Sequence, residues 1–135
     1  MSRVESWAEM ILTKMSSYRR AEETTRTPPP SIIGRAIGVY SAEGTYDGVI
    51  WISEDGIVVL DGDLRRFVAF TEIAKVHLPK TKEELDEPTK RVIRVEALDG
   101  TLTPVVVAGS KGRFFDVFEF SRFLSRVVGL AKKAP

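Results

Sequence analysis

Residues 91–130, RVIRVEALDGTLTPVVVAGSKGRFFDVFEFSRFLSRVVGL, decide the fold. Residues 91–98 alternate apolar and charged side chains, which is the period of a strand with one buried face. Asp99-Gly100 predicts a two-residue hairpin turn, and residues 102–108 return as the second strand. Residues 113–130 then have the apolar spacing of one long amphipathic helix. The sequence therefore predicts a β-hairpin that runs into a covering helix.

A second amphipathic helix is predicted at the N-terminus, where apolar side chains recur with helical spacing over about five turns. We call these side chains the N-terminal stripe; they are Val4, Trp7, Ile11, Leu12, Met15 and Tyr18. Residues 1–26 are interpreted as a helical arm. The proline-rich residues 27–31 are interpreted as a stiff spacer, because proline cannot continue a helix.

The middle of the chain is rich in short β-type runs. Four Asp-Gly pairs, which begin at Asp47, Asp55, Asp61 and Asp99, separate these runs and indicate an antiparallel meander. The strand predicted at residues 49–53 is apolar at its first four positions, which predicts burial on both sides or a barrel corner. Six or seven strands and a closing helix are expected, so the fold class is α+β and mainly β.

Two segments carry a resemblance to a known family. Residues 48–60, GVIWISEDGIVVL, and residues 67–76, FVAFTEIAKV, resemble the pleckstrin-homology-like superfold, especially its GRAM and bacterial branches. The resemblance covers residues 32–131 and implies a bent antiparallel barrel with one end plugged by the C-terminal helix. Residues 33–35 followed by 48–50 also suit a PRC-barrel, a second interpretation that leaves the final hairpin and helix unexplained.

One loop departs from the family pattern. Phosphoinositide-binding members carry Lys and Arg around the first hairpin loop, whereas residues 41–47, SAEGTYD, contain two acids and no base. The resemblance therefore does not extend to recognition of phosphate by this loop.

Composition limits the function classes. The chain has 135 residues, enough for one domain, and its net charge of +1 does not favour nucleic acid as a partner. No apolar run reaches the roughly 18 residues of a membrane helix, and no secretory leader is recognisable, so a cytoplasmic location is expected. The chain has no Cys, Asn or Gln. Depletion of these thermolabile residues favours a thermophilic source.

Candidate chemical sites are weak. His77 is the only histidine, and without cysteine a zinc site would need carboxylates for its other ligands. The charged residues 79–89 lack the pattern of a calcium loop, and residues 109–112, GSKG, lack the complete phosphate-loop pattern. The aromatic residues that could stack bases fall in apolar runs and are assigned to the core; they are Tyr40, Tyr46, Trp51, Phe67 and Phe70. No enzyme, cofactor or metal is therefore expected.

The closing helix carries more apolar surface than a lid needs. Phe114, Val117, Phe118, Leu124 and Val128 form one apolar face. A second group, Phe120, Phe123, Val127 and Leu130, widens that face, and we call it the helix shoulder.

We expect the N-terminal stripe to cover the shoulder, either in the same chain or, as the sequence interpretation favours, by exchange of arms in a homodimer. The leading hypothesis is a non-catalytic module that binds a protein partner or itself through the shoulder and residues 79–89. A peripheral membrane or lipid-binding module that uses the arm as an interfacial helix is one alternative. A small enzyme with an unrecognised site is another.

Overall fold

A computed structural model describes residues 2–41, 48–80, 92–107 and 115–133. In chain order the helices and strands are α1 (Arg3–Ile11), β1 (Tyr18–Arg20), β2 (Ala36–Ser41), β3 (Val49–Ser53), β4 (Gly56–Asp61), β5 (Leu64–Ala69), β6 (Ile73–His77), β7 (Val92–Ala97), β8 (Leu102–Val106) and α2 (Phe115–Lys133). Single 3-10 turns occur at Leu12–Lys14, Ala21–Glu23 and Phe70–Glu72. The predicted α+β, mainly β class is confirmed.

The strands form two antiparallel sheets, with the orders β1-β2-β3-β4-β5 and β6-β7-β8. The predicted bent antiparallel barrel is not closed, because no backbone hydrogen bond between described residues joins the two sheets. A side-chain contact links them instead: Arg66 Nη1 on β5 donates to Thr103 Oγ1 on β8 over 3.0 Å. The main core contains apolar side chains from both sheets and from α2.

The turn between β7 and β8 is one residue longer than predicted. Ala97 N donates to Thr101 O over 2.8 Å, so residues 98–100 form a three-residue loop. Gly100 takes a φ of +89°, which glycine adopts without steric cost, and its N–H donates to Ala97 O over 3.0 Å. This arrangement is a turn followed by a glycine bulge, a common alternative to the two-residue Asp-Gly hairpin.

The first sheet is covered on both faces, as the apolar run at residues 49–53 predicted. Ile50 and Ile52 of β3 belong to the main core, whereas Trp51 belongs to a second cluster with Val39 and Val58 on the opposite face. Ile32 packs against this second cluster. Alternation along β3 therefore separates two apolar clusters, one on each side of the same sheet.

The N-terminal helix is shorter than predicted. It begins after Ser2, whose side chain accepts a hydrogen bond from Glu5 N over 3.1 Å, and it ends at Ile11, whereas the sequence predicted a helical arm over residues 1–26. Met15 is already extended, with φ −88° and ψ 131°. Tyr18 and the two residues after it then pair with β2 as an edge strand. Pairing with an open sheet edge overrides the helical spacing here, because propensity is only a weak guide against tertiary contacts.

Candidate functional site

The N-terminal stripe and the helix shoulder are both buried within one chain. The C-terminal half of the stripe is almost fully covered: Ile11 and Leu12 are 0% exposed, and Tyr18 is 4% exposed. In the shoulder, Phe120 and Phe123 are 0% exposed. Met15 and Val127 belong to the same core, and the partly buried Val4 and Trp7 pack against it. The predicted contact between stripe and shoulder therefore exists, and it is satisfied without a second copy.

Ion pairs fasten the N-terminal segment from outside the core. Arg20 Nε and Nη2 donate to the two carboxylate oxygens of Glu9 over 2.6 and 2.7 Å. Arg35 Nη2 donates to Glu5 Oε1 over 2.6 Å and to Glu54 Oε1 over 2.9 Å. Hydrogen bonds from these guanidinium groups lower the pKa of Glu5 and of Glu9 below the ordinary value of 4.5. Both carboxylates thus favour the docked position of α1.

The aromatic rings of Trp7 and Tyr18, near the two ends of this segment, also contact the rest of the chain. The Arg126 guanidinium of α2 lies 5.2 Å from the centre of the Trp7 ring, within the range of a cation–π contact. The Tyr18 ring lies over Gly38 of β2, and burial raises the pKa of its hydroxyl. These contacts leave the apolar face of α1 turned inward. In the docked state that face is not available to a membrane surface or to a protein partner.

The structure instead leaves a groove open between β6 and α2. The groove has a volume of about 320 Å³, and its lining residues are Ala74, Lys75, Val76, Ser125, Val128 and Gly129. In the part of the chain that the structure describes, β6 pairs with β7 on one side, and no strand pairs with its other side. The groove therefore lies beside the edge strand of the second sheet as it is formed by the described residues.

On α2 the groove is lined by Ser125, Val128 and Gly129. Two of these positions, Ser125 and Gly129, lie at helical spacing from Arg122 and Phe118, on the same side of α2. Phe118 was assigned to the buried face but is 51% exposed. No atom other than its own helix backbone lies within 4 Å of where a Gly129 side chain would begin, so glycine opens the wall at that position.

Sequence reasoning missed this groove, although one signal for it was present. Glycine in a helix interior is about 1 kcal/mol less favourable than alanine, so an interior glycine calls for a reason in packing or function. Gly129 lies inside the last two turns of α2. The edge position of β6 has no comparable signal, because it depends on which strands become neighbours.

The other sequence candidates fall into structural roles. His77 Nε2 lies 3.0 Å from Glu96 Oε1 on the neighbouring strand, and among the described residues no group of three metal-ligating side chains occurs. Tyr40, Trp51 and Phe70 are buried, which confirms their assignment to the core. The hydroxyl of Tyr40 donates to the buried Asp116 of α2 over 2.7 Å.

Several predictions fall outside the described residues. They include the acidic positions of the loop at 42–47 with Tyr46, the charged positions at 81–89, the glycines of the segment at 109–112, and Phe114.

Comparisons with known proteins identify no relative: no protein-family model matches the chain, and neither a curated protein nor a solved structure is significantly similar to it. Within the described ranges, neither helix combines the length and apolarity needed to cross a membrane.

Proposed function

We propose that this chain is a non-catalytic interaction module of the pleckstrin-homology-like type, which binds an extended segment of a partner protein between β6 and α2. The order of elements supports the type: the meander β2–β5 is followed by the meander β6–β8 and then by a closing helix. Before β2, this chain carries the additional elements α1 and β1. The observation that carries the proposal is the groove between α2 and β6, which is an edge strand among the described strands.

An added strand suits this groove because of its backbone and its lining. An extended peptide can hydrogen-bond to an open strand edge, and a neighbouring pocket then selects its side chains. Val76, Val128 and the opening at Gly129 provide an apolar pocket for one such side chain. Lys75 is exposed at the middle of the strand and favours a carboxylate beside that apolar side chain.

The charge on β6 favours a different protein over a second copy of this chain. If two copies paired antiparallel about the middle of β6, Lys75 would face Lys75 of the other copy. Like charges directly opposite each other destabilise a strand pair. A partner segment with an acidic residue at that position is stabilised instead. The proposed occupant is therefore an extended acidic–apolar segment of another protein.

Two substitutions at Gly129 test the proposal. A displayed library of random linear peptides is selected against the full chain, and the selected peptides are then measured against Gly129→Phe and Gly129→Ala. Phenylalanine fills the groove, so we expect at least a tenfold loss of affinity. Alanine adds one methyl in open space and should retain binding.

Backbone amide shifts locate the contact. Bound peptide should move the amides of residues 74–77 and 125–129. The groove is not the interaction site if the selection yields no binder. The same holds if the selected peptides bind Gly129→Phe as tightly as the parent and shift the amide resonances of other residues.

A further inference from the structure

Two adjoining clefts border the short edge strand β1. The larger is about 400 Å³ and is lined by residues that include Lys14, Ser16 and Arg19. The smaller is about 160 Å³ and is lined by residues that include Ser16, Arg19, Arg26 and Ser41. The linings of the two clefts have Ser16 and Arg19 in common, and we call the two clefts together the β1 cleft. It is lined by different residues from those of the β6 groove.

Basic side chains are concentrated in the β1 cleft. Of the four that line it, Arg20 is neutralised by Glu9 and Glu23. Two of the others donate to neutral oxygens. Arg19 Nη1 donates to the carbonyls of Ser16 and Tyr18 over 2.6 and 2.9 Å. Arg26 Nη2 donates to Ser41 Oγ over 3.2 Å.

The third uncompensated base, Lys14, lies exposed at the end of the 3-10 turn that follows α1. The chain as a whole has a net charge of only +1, so three bases without an acidic partner in the described residues mark a local excess of positive charge. Arg19 lines both parts of the β1 cleft, Lys14 lines the larger part together with the acidic Glu23, and Arg26 lines the smaller part. Charge-assisted hydrogen bonds from guanidinium and ammonium groups are stronger than those between neutral groups.

The backbone holds these bases in place. Ser41 N donates to Ser17 O over 3.1 Å, which joins the start of β1 to the end of β2. The two carbonyl contacts of Arg19 fix its guanidinium against its own turn. Ser17 and Ser41 also line the smaller part of the cleft, and their hydroxyl groups can donate to an oxyanion.

We propose that the β1 cleft binds the phosphate group of a small phosphorylated molecule through Lys14, Arg19 and Arg26. Arginine binds phosphate through two parallel N–H groups, and lysine adds a point charge. The larger part of the cleft, about 400 Å³, leaves room for further atoms of the ligand beyond its phosphate group. This inference is independent of the peptide groove: either can fail while the other stands.

Inorganic pyrophosphate is the probe for the test. Titration into the full chain should shift the backbone amides of residues 14–19, 26 and 41 in a saturable way, and calorimetry should give the same dissociation constant. The double variant Lys14→Gln/Arg26→Gln should bind at least tenfold more weakly. The matched control is Arg3→Gln/Arg65→Gln, which removes the same charge at two exposed positions outside the cleft and should bind like the parent.

Three outcomes overturn the proposal. They are shifts that do not saturate, an equal loss in both double variants, and binding of sulfate as strong as that of pyrophosphate. A final experiment uses vesicles of phosphatidylcholine with phosphatidic acid. If the chain binds these vesicles through Lys14 and Arg26 but does not bind free pyrophosphate, the cleft recognises a lipid surface and the small-molecule assignment is wrong.

Discussion

Gly38 is the residue on which the docking of the N-terminal segment depends most directly. A side-chain carbon at this position would lie 2.1 Å from the hydroxyl oxygen of Tyr18 and 2.4 Å from the ring carbon that carries it. Tyr18 is itself buried and belongs to the main core, so its ring has little room to move. Glycine therefore lets the β1 segment lie close against β2.

Gly38→Ala and Gly129→Ala should change stability in opposite directions. We expect Gly38→Ala to lower the free energy of unfolding by about 1–3 kcal/mol, because the added methyl overpacks the Tyr18 ring. We expect Gly129→Ala to raise it by about 0.5–1 kcal/mol, because that methyl meets open space and alanine favours the helix. Urea unfolding of both variants and the parent gives the two differences. Destabilisation by both substitutions would contradict the account of Gly129, and no effect at Gly38 would contradict the account of Tyr18.

Ser53 shows why single polar residues are hard to assign from sequence. It is 0% exposed, and its hydroxyl accepts hydrogen bonds from Asp55 N and Gly56 N over 3.2 and 3.1 Å. It also donates to the carbonyl of Ile33 over 2.6 Å. The local half of this pattern is a turn that Ser commonly forms. The contact with Ile33 joins positions twenty residues apart and has no signature in the sequence.

The attachment of α1 should depend on pH through Glu5 and Glu9. Their pKa values are lowered in the folded chain by Arg35 and Arg20, so the stabilisation is present above the ordinary pKa of 4.5 and is lost as the pH falls through the folded values. We expect the amide hydrogens of α1 to lose protection in that acidic range before those of β3 and β4. Hydrogen exchange followed by NMR measures the order of loss.

The double variant Glu5→Gln/Glu9→Gln provides the comparison for the acid effect. The α1 amide hydrogens of this variant should be less protected from exchange at neutral pH than those of the parent. Their protection should also change less with pH. Asp63→Asn, an exposed acid in the hairpin between β4 and β5, should leave the profile of α1 unchanged. Equal protection of α1 in the parent and the double variant at all pH values would show that the two ion pairs do not hold the helix.

Helices and strands that follow from the spacing of apolar residues along the chain could be predicted. Those that exist only through pairing with another strand could not. The spacing at residues 113–130 predicted α2, and alternation together with Asp-Gly pairs predicted the meanders. The spacing at the N-terminus predicted too long a helix, because β1 exists only by pairing with β2. The same limit explains the β6 groove: its open edge follows from the order of strands in the second sheet. The sequence contains the residues of β6 and α2 that line the groove, but it does not show that they lie close together.

At the scale of the whole molecule, the first sheet separates two apolar clusters, and the proline-rich segment lies near the outer one. Pro29 is buried, and its carbonyl accepts a hydrogen bond from Ile32 N over 3.1 Å. Ile32 packs against the cluster of Val39, Trp51 and Val58. The segment that was interpreted as a spacer is thus tied to its own sheet. The thermophilic source inferred from composition stays a prediction that this packing does not test.

The anchored segment bears on whether α1 docks in its own chain or in a second copy. Exchange of arms needs a hinge between β1 and β2 that can open. Here Arg26 is bonded to Ser41, Pro29 is buried and Ile32 is packed, so opening would break several contacts. We therefore expect docking within one chain, while the homodimer that the sequence favoured stays a prediction for experiment.

Crosslinking distinguishes the two arrangements, because the chain has no native cysteine. Trp7→Cys and Arg126→Cys place thiols on α1 and α2 at positions whose side chains are in contact. A short thiol-to-thiol crosslinker should then give a linked single chain on a denaturing gel, and light scattering on the parent should give the mass of one chain. Each single-cysteine variant serves as the control for collision between molecules. A covalent dimer that forms only in the double variant, together with a parent of twice the mass, would establish exchange, because only then does Trp7 of one copy lie against Arg126 of the other.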